Sequence, residues 1–501
     1  MGDSEIGEKQ PLLAAGKKVQ DATSNGLEMD TDAIDKRPTV RSDVLDVFRL
    51  GTPIFITMLA WVGMKMTESG LLDHVSSQAT NAVALSDIWT MCTAMLIAGR
   101  SLDILVGGAV GAGNPKLAGI YLQVSCYCLS WAALFVFVCW NLAAPLWLVL
   151  GANSELASMA GYYARILALS IPAQVLFGQL SQFFSAQKIM HPEMNASLVA
   201  LALSLMLGFI LVVGIGLPGF EGTGFAMCPV ITTCAVYTQL AVITYVYVGR
   251  QRLHGPAWDG WAYHEITWPR IKTFCWLYCP TVLGMASDFW RVAVITAIAS
   301  KFGEHETAVF NASYRVMWMA LMVMVAISGA CGINMCIRLG KLDSNGARQA
   351  GCVGVGMSAF VSIIMVVFEM LAPGSFWRLF TDDSNLHSIL DEIKVPFGIA
   401  LFLMNTSVAL EKIPYCMGRT TTVLWISVVA SWGIQIPAVY LLTDHWRNDL
   451  TGLFWGLAIG HGAMAILYVI VIQQSDWTKF ARLTHLRSTE AAEDDKAVHT
   501  D

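Results

Sequence analysis

Twelve apolar runs follow one another along this chain, and each is long enough to cross a lipid bilayer as a helix. A spanning helix needs about 20 mainly apolar residues, and it satisfies its own backbone N–H and C=O groups inside hydrocarbon. The runs lie at approximately 44–70, 81–110, 117–141, 160–186, 195–217, 223–248, 271–300, 306–337, 350–371, 388–411, 421–442 and 451–473. The sequence therefore predicts an all-α polytopic membrane protein with 12 transmembrane helices.

Charged residues are scarce and are concentrated at the two ends of the chain. They make up 14% of the 501 residues, whereas a soluble domain carries roughly 25%. Residues 1–43 and 474–501 are polar, so we expect two disordered cytosolic tails. The sequence has no basic block for nucleic acid, and no zinc, disulfide, Walker, HExxH or GxSxG spacing. We therefore expect no enzyme activity, no cofactor, no bound metal and no ATP-driven transport.

Lys and Arg residues are distributed unequally between the loops on the two sides of the predicted bundle. About eleven lie in loops on the side of the N-terminus, and three, Lys301, Arg378 and Arg447, lie on the opposite side. Positive residues favour the cytosolic side of a membrane protein. Both termini are therefore predicted to be cytosolic.

The longest predicted cytosolic loop, residues 249–270, divides the chain into an N-lobe (44–248) and a C-lobe (271–473). Three motifs recur between the halves at an offset of about 225–229 residues: FRLGTP (48–53) with FCWLYCP (274–280), VGAGNPK (110–116) with LGKLDSN (339–345), and Ile171-Pro172 with Val395-Pro396. Because each half has an even number of helices, both halves have the same orientation in the membrane. This predicts two six-helix lobes related by a parallel pseudo-twofold repeat.

Three oppositely charged pairs lie within the apolar runs at i,i+3 spacing: Lys65/Glu68, Arg100/Asp103 and Asp288/Arg291. A charge at the centre of a membrane helix costs roughly 2.5–3.5 kcal/mol on insertion scales, so such residues are candidates for function. The spacing places both members of a pair on one helix face. Two interpretations stay open: the pairs are structural ties that neutralise each other, or their carboxyl groups exchange protons for a cationic substrate.

Glycines spaced four residues apart predict two close contacts between helices. Gly107 and Gly111 form such a ridge in the second run, and Gly452, Gly456 and Gly460 form another in the twelfth. Small residues at this spacing allow the backbones of neighbouring membrane helices to approach closely.

Residues 101–112 (SLDILVGGAVGA) and 119–123 (GIYLQ) resemble the signature of the multidrug and toxic compound extrusion (MATE) family, eukaryotic type. The stretch from Ile171-Pro172 to Gln187 is similar to the family's fourth-helix motif, and residues 339–348 are similar to the motif after its eighth helix. The likeness covers about residues 44–473. It implies a V-shaped pair of six-helix lobes and cation-coupled antiport of organic cations, drugs or metabolites.

The resemblance also implies roles for single residues. By position, Asp103 matches the second-helix acid of eukaryotic members, and Asp288 matches the first acid of their seventh-helix motif. Glu68 falls where prokaryotic members place a first-helix Asp, and Gln187 closes the fourth-helix motif.

The chain departs from the family pattern at several of these positions. The signature Gln is Gly108, and the second acid of the seventh-helix motif aligns with Ala293. Arg291 replaces a small residue, and the tenth-helix acid aligns near Met404, with Glu411 two turns later. These departures leave room for anionic or zwitterionic substrates.

The interpretation that unites these features is a proton-coupled antiporter that exports small organic compounds, xenobiotics or metabolites that are often cationic, by alternating access. We expect Asp103 and Asp288 to exchange protons with assistance from Glu68; the other predicted site residues are Arg291, Arg100, Lys65 and Gln187. Na⁺ is the alternative coupling ion. Two other functions stay open: a lipid-linked oligosaccharide or lipid flippase of related architecture, and a non-transporting substrate sensor.

A sequence pattern near the N-terminus predicts the membrane in which the protein resides. Glu8, Leu12 and Leu13 fit the acidic dileucine pattern that adaptor proteins bind. Adaptors use this pattern to sort membrane proteins to endosomes, lysosomes or vacuoles. We expect a monomer in a vacuolar, endosomal or plasma membrane, with the lipid bilayer and a small organic substrate as its partners.

Overall fold

The computed structural model of the protein describes residues 39–73, 76–215, 222–258, 260–371 and 387–498. Side chains of the last helix are described as far as Thr489. The predicted adaptor motif at Glu8, Leu12 and Leu13 lies outside the described residues.

Among the described residues, eleven helices are long and apolar enough to cross a membrane. A twelfth span consists of two helical segments that meet at a bend of 49°. In chain order the spans, labelled α1 to α12, are Val40–Leu72, Ser77–Gly111, Pro115–Asn141, Ser154–Ala168 with Ile171–Ala186, His191–Val212, Gly224–Arg250, Trp268–Ala299, Glu304–Gly340, Ser344–Leu371, Ile389–Cys416, Thr420–His445 and Leu450–Gln473. The predicted all-α fold of 12 transmembrane helices in two six-helix lobes is confirmed, with α1 to α6 in the N-lobe and α7 to α12 in the C-lobe.

Span α2 is broken at residues 99–101, where the sequence predicted one continuous helix. Gly99 adopts an extended conformation with ψ of 140°, which ends the first segment at Ala98. The Tyr278 hydroxyl of α7 accepts a hydrogen bond from the Gly99 N–H at 3.3 Å and donates one to the Leu96 carbonyl at 3.0 Å. Gln182 Nε2 of α4 donates to the Gly99 carbonyl at 3.2 Å. These side chains supply the partners that a helix break inside hydrocarbon requires.

Spans α2 and α8, one from each lobe, are in close contact on the face where α1 begins and α12 ends, which we call the termini side. A Cβ atom added at Gly107 of α2 would lie 2.7 Å from Cys336 Cβ of α8. One added at Gly111 would overlap the Ile337 carbonyl oxygen and lie 3.0 Å from Gly340 Cα. The close contact that the glycine spacing in α2 predicted is therefore confirmed, and it joins the N-lobe to the C-lobe.

The glycine ridge in α12 allows a close contact with α11 inside the C-lobe. A Cβ atom at Gly456 would lie 2.5 Å from Val439 Cα of α11, and one at Gly460 would overlap the Gln435 side chain. The predicted close contact is confirmed here too, within one lobe. It positions Gln435, which takes part in the charged cluster of the C-lobe.

The chain after α12 forms a further helix, α13, at Trp477–Val498. The prediction of a disordered C-terminal tail is therefore wrong for these residues. Asp476 Oδ1 accepts hydrogen bonds from the N–H groups of Thr478 at 3.0 Å and Lys479 at 3.2 Å, which caps the helix start. The buried face of the helix consists of small side chains: Ala481, Thr484 and Ser488. Because two of these three side chains are polar, hydropathy alone did not predict that the helix packs against the bundle.

The loop between the lobes is bound to the N-lobe. Span α6 continues to Arg250 and α7 begins at Trp268, so the loop is shorter than the predicted residues 249–270. Gln123 of α3 donates to the Gly260 carbonyl at 2.9 Å and accepts from the Ala262 N–H at 2.8 Å. The absence of a side chain at Gly119 lets the backbone of Ala257 pack against α3.

The contact between α2 and α8 generates a prediction about stability. Gly111→Ala places a methyl group on the Ile337 carbonyl oxygen, and such overpacking typically costs about 1–3 kcal/mol. We expect the free energy of unfolding of the detergent-solubilised protein to fall by this amount. Gly356→Ala in α9 is the control, because no atom lies within 4 Å of its added Cβ. Equal stability of the two variants would show that the contact is looser than described.

Candidate functional site

A first charged cluster lies within the N-lobe, where α1 and α2 face each other. Lys65 Nζ lies 3.1 Å from Glu68 Oε2 and 3.2 Å from Asp87 Oδ1. The other Glu68 oxygen accepts hydrogen bonds from the hydroxyl groups of Tyr163 in α4 and of Thr232 in α6, the latter at 3.1 Å. Glu68 is only 8% exposed. Four of the six N-lobe spans, α1, α2, α4 and α6, thus contribute side chains to this cluster.

A second charged cluster lies at the break in α2. Arg100 Nε lies 3.3 Å from Asp103 Oδ2, and its Nη1 lies 4.0 Å from Glu193 Oε1 of α5. Arg100 Nη2 donates to Ser185 Oγ of α4 at 3.4 Å. The second oxygen of Asp103 is buried and has no hydrogen-bond partner. This oxygen is a vacant acceptor beside a guanidinium group.

The second cluster borders a cavity of about 350 Å³ between α1, α2, α4 and α5. Its wall combines two aromatic rings, Trp61 and Phe177, with Arg100 and Glu193. Ser181 Oγ and Gln182 Oε1 are buried without hydrogen-bond partners in residues that line the cavity. An apolar wall with a few convergent polar groups is the usual character of a small-molecule site.

A third charged cluster lies in the C-lobe around Arg291. Arg291 Nη2 lies 3.4 Å from Asp288 Oδ1, and Arg291 Nη1 donates to Gln435 Oε1 of α11 at 2.6 Å. Ser427 Oγ, also from α11, donates to Asp288 Oδ1 at 3.4 Å. Arg291 Nε is buried without a partner. The side chain of Asp288 is 40% exposed and that of Arg291 is 11% exposed, so Arg291 is the more deeply buried residue of the ion pair.

Glu411 of α10 completes the third cluster. Its carboxyl group interacts electrostatically with Asp288, with Lys412 and with Arg291. The Lys412 ammonium group lies 4.6 Å from the centre of the Tyr415 ring. His461 of α12 is buried near Arg291, and its Nδ1 has no hydrogen-bond partner.

The three clusters differ in their balance of formal charge. Each N-lobe cluster holds one cation and two acids: Lys65 with Glu68 and Asp87, and Arg100 with Asp103 and Glu193. Each is one positive charge short of neutrality. In the C-lobe, Arg291 and Lys412 balance Asp288 and Glu411. If every group is counted as ionised, one proton or one monovalent cation would neutralise each N-lobe cluster, whereas the formal charges of the C-lobe cluster sum to zero.

The structure brings six of the seven predicted site residues into these clusters: Lys65, Glu68, Arg100, Asp103, Asp288 and Arg291. The seventh, Gln187, donates to the Phe183 carbonyl at 2.9 Å at the end of α4 and is part of none of the three.

Asp87 and Glu193, the second acids of the two N-lobe clusters, were not among the predicted site residues. Both pair with a cation on another helix, and a search for pairs within one helix does not detect such partners. Asp87 stood inside a predicted apolar run, so a census of every acid within the runs would have found it. Glu193 lies two residues before the predicted start of the fifth run.

Comparison with known proteins identifies the family. The MatE family model matches residues 53–210 and 280–441. The chain belongs to the MatE family. The resemblance noted in the sequence is thereby confirmed, and the two matched segments begin 227 residues apart (280 − 53), in agreement with the internal repeat.

Curated relatives and solved structures share this assignment. Protein DETOXIFICATION 31 of Arabidopsis thaliana is 21% identical over 454 residues, which cover 89% of this chain and 84% of the relative. Multidrug and toxin extrusion protein 2 of Mus musculus is 22% identical over 461 residues, covering 90% and 78%. The crystal structure of the eukaryotic MATE transporter AtDTX14 superposes with a TM-score of 0.78 at 16% identity, covering 90% of this chain and 99% of that one. This chain therefore has the fold of that MATE transporter. It is a multi-pass integral membrane protein.

The first cluster generates a prediction about stability. Lys65→Met leaves Glu68 and Asp87 without their cation, and removing one partner of a buried ion pair costs about 3–5 kcal/mol. We expect a loss at the lower end of this range, because the Lys65 side chain is 27% exposed. Adding Asp87→Asn should restore part of the loss, since one acid then remains. The measurement is denaturant unfolding in a fixed detergent.

The matched control for this prediction is Lys301→Met, which removes the charge of an exposed lysine. It should change the free energy of unfolding by less than about 0.5 kcal/mol. If Lys65→Met were no more destabilising than this control, Lys65 would not be the counter-charge of the two acids.

Proposed function

We propose that this protein is a secondary active transporter that exports small organic compounds in exchange for protons by alternating access. Its membership of the MatE family and the names of its relatives, multidrug and toxin extrusion proteins among them, support transport. The main support for coupling to protons is the formal charge of −1 on each of the two N-lobe clusters. A buried cluster of this charge favours a bound proton or a bound cation, because either one removes the uncompensated charge.

Exchange of substrate for protons would follow if a cationic substrate and a proton compete for the same negatively charged cluster. A cationic substrate near Asp103 and Glu193 would neutralise the second cluster and remove the advantage of the bound proton there. In this proposal the unpartnered oxygen of Asp103 is the site that exchanges the proton. The cavity that Arg100 and Glu193 of the same cluster line is large enough for a small organic molecule. Glu68 is held by Lys65, Tyr163 and Thr232, so its proton exchange requires a rearrangement of these partners.

For the C-lobe cluster, whose formal charges balance, we propose a role in substrate binding more than in proton exchange. A proton on Asp288 would compete with its ion pair to Arg291, and the hydrogen bond to Gln435 and the buried position of Arg291 hold that pair in place. A guanidinium group in this position also suits the carboxylate of a zwitterionic substrate. We therefore extend the substrate class of the proposal from organic cations to zwitterions.

The orientation and location are part of the same proposal. With both termini in the cytosol, as the distribution of Lys and Arg favours, the contact of α2 with α8 closes the cytosolic side. The acidic dileucine sequence at Glu8, Leu12 and Leu13 supports a vacuolar or endosomal membrane, with the plasma membrane as the alternative.

A transport assay tests the proposal. In proteoliposomes with an imposed pH gradient, the wild-type protein should drive uptake of a labelled organic cation such as tetraethylammonium. Asp103→Asn and Glu68→Gln keep the shape of each side chain and remove its exchangeable proton, so each should slow this uptake about tenfold or more, equal to about 1.4 kcal/mol or more. Asp288→Asn should also slow uptake, but less, because its cluster is already neutral.

Glu155→Gln is the matched control, since this exposed acid lies in the first turn of α4, outside the three clusters. It should leave uptake unchanged. A sodium gradient without a pH gradient distinguishes the coupling ions. Full pH-driven uptake by both Asp103→Asn and Glu68→Gln would refute the assignment of these acids, and transport of a lipid-linked reporter without any gradient would favour the flippase.

A further inference from the structure

The C-terminal helix α13 lies across the place where the two lobes meet. Its contacts with the N-lobe include those of Thr484 and Ser488: Thr484 packs on Gly108 of α2, and the Ser488 carbonyl accepts a hydrogen bond from Asn114 Nδ2 at 3.2 Å. Asn114 also caps the start of α3 by accepting from the Leu117 N–H. The N-lobe side of α13 is therefore attached to the ends of two spans.

The contacts of α13 with the C-lobe include that of His485, which adjoins Thr484 and Ser488 on the same face of the helix. His485 Nδ1 lies 2.8 Å from the Gly340 carbonyl oxygen at the end of α8. Before the helix, Ser475 Oγ accepts from Arg419 Nη1 at 2.8 Å, and the Arg419 guanidinium group lies 5.5 Å from the centre of the Phe480 ring. Thr484 and His485, neighbours in sequence, thus contact different lobes.

The helix covers the point at which α2 and α8 cross. Gly111 of α2 and Gly340 of α8 are in backbone contact there, and Gly340 also bonds to His485 of α13. If the termini side opens, the ends of α2 and α8 must separate. Separation breaks either the contacts of Thr484 and Ser488 or that of His485, because one rigid helix cannot follow both lobes.

We propose that α13 is a strap that stabilises the conformation closed on the termini side, and that Gly108 is the residue that admits it. Among the described residues outside the backbone of its own helix, a Cβ atom at Gly108 would have two neighbours within 4 Å, Thr484 Cγ2 at 2.9 Å and Ser488 Oγ at 3.6 Å. Both belong to α13. A glutamine, the residue that the family signature has here, would occupy the space that Thr484 fills, so this position of α13 requires a residue without a side chain at 108.

The experiment uses a native cysteine as the reporter of opening. Cys336 of α8 is 2% exposed and packs against Gly107 of α2. Separation of the two spans should therefore expose it to water. The full-length protein in nanodiscs is treated with a water-soluble maleimide, and the labelling rate of each cysteine is followed by peptide mass spectrometry. This measurement involves no substrate or ion gradient, so its outcome is independent of the proposed transport function.

Gly108→Ala should raise the labelling rate of Cys336 several-fold, because its methyl group meets Thr484 Cγ2. Thr484→Ser removes that methyl carbon, so the double variant Gly108→Ala/Thr484→Ser should return the rate to the wild-type value. Truncation after Asp476 removes the strap and should raise the rate at least as much as Gly108→Ala. Truncation after Thr489 keeps every contact named above and should leave the rate unchanged.

Cys228, buried at the far side of the N-lobe at the start of α6, is the control for general loosening. Its labelling should stay constant in the single and double variants. The strap is refuted if Cys336 labelling is unchanged in both Gly108→Ala and the truncation after Asp476. It is equally refuted if the double variant labels as fast as Gly108→Ala, or if the truncation after Thr489 has the full effect of the longer one.

Discussion

Every backbone N–H and C=O group inside a bilayer needs a partner within the protein, and this requirement governs both the regular and the irregular parts of the structure. It makes each span a helix. It also explains how α2 can break at Gly99, because Tyr278 and Gln182 take over the hydrogen bonds that the helix gives up there. Tyr278 belongs to the other lobe, so the same break ties the lobes together.

The break in turn positions the chemistry. It turns Arg100 toward Ser185 and Glu193 at the wall of the N-lobe cavity, and it starts the second helical segment of α2 at Leu102, with Asp103 in its first turn. The acid-rich balance of both N-lobe clusters contrasts with the neutral cluster around Arg291. The pseudo-symmetry of the fold is thus not matched by symmetry of charge, and our proposal places proton exchange mainly in the lobe where positive charge is lacking.

Local signals in the sequence predicted the spans, one contact between the lobes and several members of the charged clusters. Apolar length identified the spans, glycine spacing identified the contact of Gly107 and Gly111 with α8, and i,i+3 pairs marked six residues of the three clusters. Such signals do not detect partners that come from distant parts of the chain. Asp87 pairs with Lys65 across 22 residues, and Glu193 approaches Arg100 from another helix. The helix at Trp477–Val498 was missed because its buried face consists of small and polar residues.

The sequence by itself determined that this chain is a membrane-spanning helical repeat of the MatE type, since apolar length, motif order and spacing are properties of the linear chain. Only the tertiary structure decided which charges share a cluster, which lobe lacks positive charge and where the C-terminal helix lies. The physical reason is that hydrocarbon burial constrains each helix separately, whereas charge compensation and close packing depend on side chains from several helices that meet only after folding.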